Sequence, residues 1–239
     1  MATPEAPSMR RHWLLAALTC LLVTTMPAHA KSSRTFHTDA RMAVMRANLE
    51  QHQWARDLRA AYVKDAASWA QSDDGFLRAM VIPPQVPRRY DVHNMGCPVH
   101  GLAANKDGLY KWGYSLDRPL KITCPAGGEE YPSNDFAAYL ASWMRDRALL
   151  TGDYTDDGWG WNRPGDNHNY WFVAHYTHWS MQRELQSAIR ALAMGALVSE
   201  DPDQARRFAH RCGVLLWQLA VYYPDYDYNT QGRAAGHQH

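Results

Sequence analysis

Residues 167–179 read NHNYWFVAHYTHW and run on into SMQRELQSAIRALAMGALV at 180–198. The stretch holds no Pro, and its spacing predicts one long helix from about Asn167 to Leu197. On such a helix Trp171, His175, His178 and Gln182 share a stripe that continues into Leu185 and Ile189. Phe172, Tyr176, Trp179 and Arg183 form the neighbouring stripe. Polar, proton-carrying groups therefore extend an apolar face, the pattern of a buried helix that opens onto a cleft. His175, Tyr176 and His178 are the candidates for proton transfer, and Arg183 is the candidate partner for an anion. The competing reading is a pair of histidines hydrogen-bonded inside a packed aromatic layer. Zinc held by His175 and His178 alone finds no carboxylate at a useful offset.

Working outward, Gly152 to Gly165 is a Gly/Asp/Trp-rich loop. It lacks the alternating oxygen ligands of an EF-hand. Trp159 and Trp161 flank a glycine and could stack on sugar faces, or anchor the loop to the core. Upstream, Ser133 is placed to cap a helix from Asn134 to about Leu150. Downstream, Asp201 caps a helix that has Pro202 at its first position and ends near Tyr222, before Pro224. Near the start, residues 38–71 read as helical, with Met42, Met45 and Leu49 on one stripe. Leu58, Tyr62, Ala66 and Trp69 resume the spacing after a shift. A short helix follows Ser72-Asp73-Asp74.

Residues 88–132 break this pattern with Gly, Pro, Asn and short apolar runs. They predict an irregular insert with short strands near Tyr110–Tyr114 and Leu120–Thr123. Two knuckles echo each other inside it, Cys97-Pro98-Val99-His100-Gly101 and Cys124-Pro125-Ala126-Gly127-Gly128. Cys97, His100 and Cys124 are candidate ligands for a structural zinc. A fourth ligand must come from elsewhere, for instance His93, because Gly127 stands where the second knuckle would need a donor. A Cys97–Cys124 disulfide and a pair of free thiols stay open beside that reading.

The chain has 239 residues, 46% hydrophobic and 21% charged, which suits a globular fold with a sizeable core. Residues 1–30 predict an export signal: Arg10 and Arg11, an apolar run from Trp13 to Val23, and Ala28-His29-Ala30 before Lys31. Cleavage there leaves 23 basic and 23 acidic residues, so a broad basic grip on nucleic acid is not expected. No later segment is apolar enough to cross a membrane. The expected location is periplasmic or secreted. Three cysteines remain in the processed chain, which permits at most one internal pair. Ten Trp and thirteen Tyr against five Phe favour rings with a polar handle, as a wet sugar cleft would use. No GxSxG, P-loop or dinucleotide glycine motif occurs.

Cys97-Pro-Val-His-Gly, Lys121-Ile-Thr-Cys-Pro-Ala-Gly-Gly-Glu-Glu-Tyr-Pro-Ser-Asn-Asp-Phe136 and Asp156-Asp157-Gly158-Trp159-Gly160-Trp161 resemble the N-terminal part of heparinase II/III-like polysaccharide lyases. Tyr170-Trp171-Phe172-Val173-Ala174-His175-Tyr176 and Tyr223-Pro224-Asp225-Tyr226-Asp227-Tyr228-Asn229 fit the same pattern, as do Arg46 to Glu50 and Trp54-Ala55. The likeness spans most of residues 38–230. It implies a mainly α fold, a partial (α/α) toroid of antiparallel helix pairs over residues 31–239, with the 88–132 insert. It implies β-elimination on a uronate-containing acidic polysaccharide, with no cofactor required for the chemistry. In that reaction a base removes the C5 proton while a partner neutralises the carboxylate. The family's main Asn-His and Tyr residues fall beyond the Tyr-Pro-Asp-Tyr segment, so the chain is expected to supply the first helices of the ring. His175, Tyr176 and His178 remain the local catalytic candidates. Trp159, Trp161, Asn167, Trp171, Trp179 and Arg183 are the candidate sugar contacts. A non-catalytic glycan-binding helical domain is the alternative.

Overall fold

A computed structural model describes residues 36–87, 96–107, 111–165 and 168–226. The leader, His93, Asn167 and the segment after Tyr226 lie outside the described residues. The chain divides into two compact units at residues 53 and 54. In the first, helix α1 (Asp39–Gln51) is capped by Thr38, whose hydroxyl accepts from Arg41 N. It stops at His52, which is extended at φ −122° and ψ 130°. The shift in apolar spacing after Leu49 marks this break: residues 38–71 form two helices.

The second unit is mainly helical. Helix α2 (Gln53–Ala70) is followed by α3 (Asp74–Met80), capped by Asp73 as its sequence predicts. The insert then forms a three-stranded antiparallel sheet, β1 (Gly113–Ser115), β2 (Arg118–Thr123) and β3 (Glu130–Tyr131), with β2 in the middle. The third strand was not expected. Along β2, Leu120 and Ile122 alternate inward, the two-residue period of a half-buried strand.

The helix expected from Asn134 to Leu150 is only α4 (Phe136–Ala141), capped by Asp135 rather than Ser133. The Ser142 hydroxyl donates to Tyr139 O and accepts from the N–H groups of Arg145 and Asp146, offering the backbone a turn in place of the helix. Trp143 and Met144 then take left-handed conformations, which end it.

Residues Trp161–Asn162 (β4) pair with Asn169–Tyr170 (β5). That pairing delays the long helix, which begins at Phe172 instead of Asn167. It runs as α5 (Phe172–Trp179), a π-helical segment (Ser180–Leu185) and α6 (Gln186–Val198). A short turn leads to α7 (Pro202–Tyr222), capped by Asp201 with Pro202 at its start. The turn is short enough to force α6 and α7 into an antiparallel hairpin. Among the described residues, no helix is long and apolar enough to cross a membrane.

Two apolar clusters fill this unit. One joins the sheet, α4, α5 and the Cys97 knuckle, and the other joins α2, α3, α6 and α7. Asp74 on α3 pairs with His210 and Arg211 on α7. Asp156 fastens the Gly-rich loop: its Oδ1 accepts from Gly158 N and Gly160 N, both at 2.8 Å. Its Oδ2 accepts from Val173 N at 3.0 Å, so a loop carboxylate caps α5 from outside the helix. Asn134 holds the Asp156 backbone through both its N–H and its carbonyl.

Candidate functional site

Each knuckle is a tight turn that fixes a sulfur. Cys97 N donates to Gly101 O and Gly101 N to Cys97 O, at 3.0 and 2.7 Å. Cys124 closes β2, with Cys124 N donating to Glu129 O at 2.8 Å and Gly128 N to Cys124 O at 2.9 Å. These turns bring Cys97 Sγ, His100 Nδ1, Cys124 Sγ and a Glu129 carboxylate oxygen within 4.8 Å of one another. His100 Nδ1 lies 3.6 Å from Cys97 Sγ, 3.7 Å from Cys124 Sγ and 3.4 Å from Glu129 Oε2. A tetrahedral ion with bonds of about 2.0–2.3 Å holds its donors roughly 3.3–3.8 Å apart. The four residues could therefore hold a metal ion.

Three further features fit that use. Cys97 and Cys124 are buried free thiols, so the disulfide left open by the sequence is not formed. Glu129 Oε2 is buried and makes no hydrogen bond, a costly state for a carboxylate with no cation near it. Gly127 leaves the space that His100 and Glu129 occupy. Among the described residues Glu129 offers the fourth donor, while His93, suggested for that role, lies outside them. An acid after Gly-Gly carries no local signal of a metal donor, because a solvated turn has the same pattern.

Burial pushes the Cys124 thiol up, although the Gly127 and Ala126 N–H groups work against it. Burial also raises Cys97, but the Tyr131 hydroxyl at 3.3 Å and the His100 contacts outweigh it and lower the thiol overall. Arg163 Nη2 donates to Pro98 O at 2.5 Å and ties the tryptophan loop to this knuckle.

Helix α5 brings His175, Tyr176 and His178 together, but on the inside. Every residue from Phe172 to Trp179 is buried, because α5 passes between β2 and the remaining core. His175 is fully buried, and its Nε2 accepts from Trp179 Nε1 at 2.8 Å. That bond occupies the lone pair a general base would use. Trp112 covers the same imidazole at 5.8 Å between ring centroids, and His178 meets Trp179 edge-on at 5.4 Å. Burial pushes Tyr176 up to about 12. Trp171 is buried just ahead of the helix. Trp161 is half-buried among Tyr154 and Tyr170, and Trp159 is 47% exposed. The expected opening lies one turn later, at the π segment, where Arg183 is exposed and its guanidinium sits 4.1 Å from the Trp179 ring.

Two cavities flank this segment. The larger, about 640 Å³, is walled by Trp69, Phe76, Trp112 and Tyr114, with Asp117 and Glu184 at its polar side. Tyr114 donates to Glu184 Oε1 at 2.8 Å. Burial first, then Glu184, pushes Tyr114 up to about 12. The smaller, about 420 Å³, is lined by Tyr62, Asp65, Arg183, Gln186, Ser187 and Arg190. Of these residues, only Arg183 was singled out by sequence. Trp69 lies on the apolar stripe of residues 58–69, and Trp112 lies in the insert, which has no helical period.

Compared with protein-family models, curated proteins and solved structures, the chain matches none.

Proposed function

We propose that the chain is an exported, periplasmic or secreted domain that binds uronate-containing acidic polysaccharide, as part of a heparinase II/III-like lyase. The observation that carries the sugar-binding part of this reading is the cavity of about 640 Å³ walled by Trp69, Phe76, Trp112 and Tyr114, beside a second cavity lined by Arg183 and Arg190. Ring faces beside oriented polar groups are how sugar sites gain both contact area and orientation. The α6–α7 hairpin is the kind of helix pair from which an α/α toroid is assembled. Because His175 is buried and its Nε2 is engaged by Trp179, this arrangement favours glycan binding at the aromatic cavity over proton abstraction by His175. Mixing the chain with alginate or heparin separates the two. Unsaturated uronates absorb at the ultraviolet edge, so an absorbance rise supports elimination. Calorimetric binding without that rise supports the non-catalytic reading, and neither signal overturns both.

The same reading includes structural zinc at Cys97, His100, Cys124 and Glu129. Two thiolates and an imidazole are the donors zinc takes in closed sites. Zinc here would pin the knuckle at 96–101 to the end of β2 and the start of β3, without taking part in chemistry. Metal analysis of the reduced chain should give one zinc per chain, lost in Cys97→Ser and in Cys124→Ser. A chain that retains no metal after incubation with zinc, or whose two thiols are joined in a disulfide, overturns it.

A further inference from the structure

The two cavities beside the π segment differ in sign. The larger carries Asp117 and Glu184 and no cationic lining residue, so it repels a carboxylate or sulfate. The smaller sets Arg183 and Arg190 against the single acid Asp65, with hydroxyls from Tyr62 and Ser187. An acidic sugar chain running past this segment would place its neutral ring faces against the aromatic wall. Its charges would fall on the arginine side.

Arg183 is already posed for this. Its guanidinium lies on the Trp179 face at 4.1 Å and also reaches the Tyr114 hydroxyl, while it lines the smaller cavity. A stacked, planar guanidinium loses little freedom when it forms a fork to an oxyanion. Arg190 follows seven residues later, roughly 10 Å along the helix axis, on the same cavity wall. Two arginines set two helical turns apart on one wall suit two charged groups on one oligosaccharide better than a single small anion.

We infer that the cavity between α2 and the start of α6, lined by Arg183, Arg190, Tyr62 and Ser187, is a subsite for the carboxylate or sulfate groups of an acidic oligosaccharide. This rests on the reading of the chain as an acidic-polysaccharide domain, and it assigns which residues read the charge. The subsite sets selectivity for acidic over neutral chains, while the aromatic cavity supplies contact area. Being surface charge, its contribution falls as salt screens it.

The test is calorimetric binding of oligouronates from alginate, heparin oligosaccharides and a neutral glucan oligosaccharide to the full chain. Variants are Arg183→Ala, Arg190→Ala, the double variant, Arg183→Lys and Trp69→Ala. Each arginine-to-alanine change should weaken acidic ligands about tenfold and flatten the salt dependence. Neutral binding should fall far less than acidic binding. Arg183→Lys should recover only part of the loss. A preference for oligouronate or heparin identifies carboxylate or sulfate as the group read. If the wild type binds acidic chains, the arginine variants match it and Trp69→Ala abolishes binding, the subsite is wrong and the polysaccharide reading stands. If the wild type binds no acidic chain, both are wrong.

Discussion

The space that a side chain at Gly127 would need is already taken by the His100 imidazole. Glu129 Oε1 and Oε2 crowd the same point. Glycine is therefore what lets two donors converge between the knuckles. Gly127→Ala should push His100 and Glu129 apart and loosen any bound zinc by at least tenfold, in line with the cost of disturbing groups that orient ligands. Competition with a chromophoric chelator measures it. An alanine variant that holds zinc as tightly as the wild type would mean Glu129 and His100 are not both ligands.

Asp156 gives the fold an acid-side pH dependence of unusual sign. Burial pushes its carboxyl up to about 6, with the Val173, Gly158 and Gly160 N–H groups pulling the other way. A carboxyl whose folded pKa exceeds its unfolded value contributes stability that is complete below about pH 4. That contribution is lost as pH rises through about 6, by roughly 3 kcal/mol. Urea unfolding from pH 4 to 7 should show this fall, and Asp156→Asn should flatten it. Asparagine is the neutral isostere of the protonated acid, so at pH 4 it should come within about 1 kcal/mol of wild type. A variant with the wild-type slope would exclude Asp156 as its source.

Gly195 marks where α2, α6 and α7 meet. A Cβ there would overlap Ala66 and stand 3.0 Å from the Phe208 ring. Ala66 is fully buried and Phe208 nearly so, so neither can move aside without disturbing the core. Gly195→Ala should cost about 1–3 kcal/mol despite its better helix propensity, and Gly195→Val should cost more. Thermal melts of both variants check the order, and a stabilised alanine variant would show that the helices can separate freely.

Features fixed by neighbouring residues were legible in the sequence. Asp73 and Asp201-Pro202 announce their helices because a cap acts within one turn. The Cys97 and Cys124 knuckles stood out because Gly and Pro dictate their turns. What failed depends on partners far along the chain. The α5 start moved because Asn169–Tyr170 pairs with Trp161–Asn162, which no local period reveals. Helix α4 ended early because the Ser142 hydroxyl competes for its backbone. His175 and His178 read as a polar edge, yet Trp112 covers His175 from the insert and Trp179 of the same helix packs against both imidazoles. Glu129 joins the cluster only because the pairing of β2 with the two-residue strand β3 sets it opposite Cys124.

Tyr114 and Glu184 offer a direct probe of the larger cavity, because their 2.8 Å hydrogen bond crosses from β1 to the π segment. Tyr114 also meets Tyr176 edge-on at 6.2 Å. Both hydroxyls are held up at about 12, chiefly by burial. Their contribution to stability is complete below the ordinary tyrosine value of about 10 and lost as pH rises towards 12. Absorbance titration should therefore show tyrosines that ionise only as the chain unfolds in alkali. Tyr114→Phe keeps the ring and removes the donor, so it should cost about 1 kcal/mol. It should also leave the Glu184 carboxylate free to swing, weakening oligosaccharide binding several-fold without changing zinc content. If Tyr114→Phe leaves both the alkaline unfolding midpoint and the affinity unchanged, the bond neither supports the fold nor shapes the cavity.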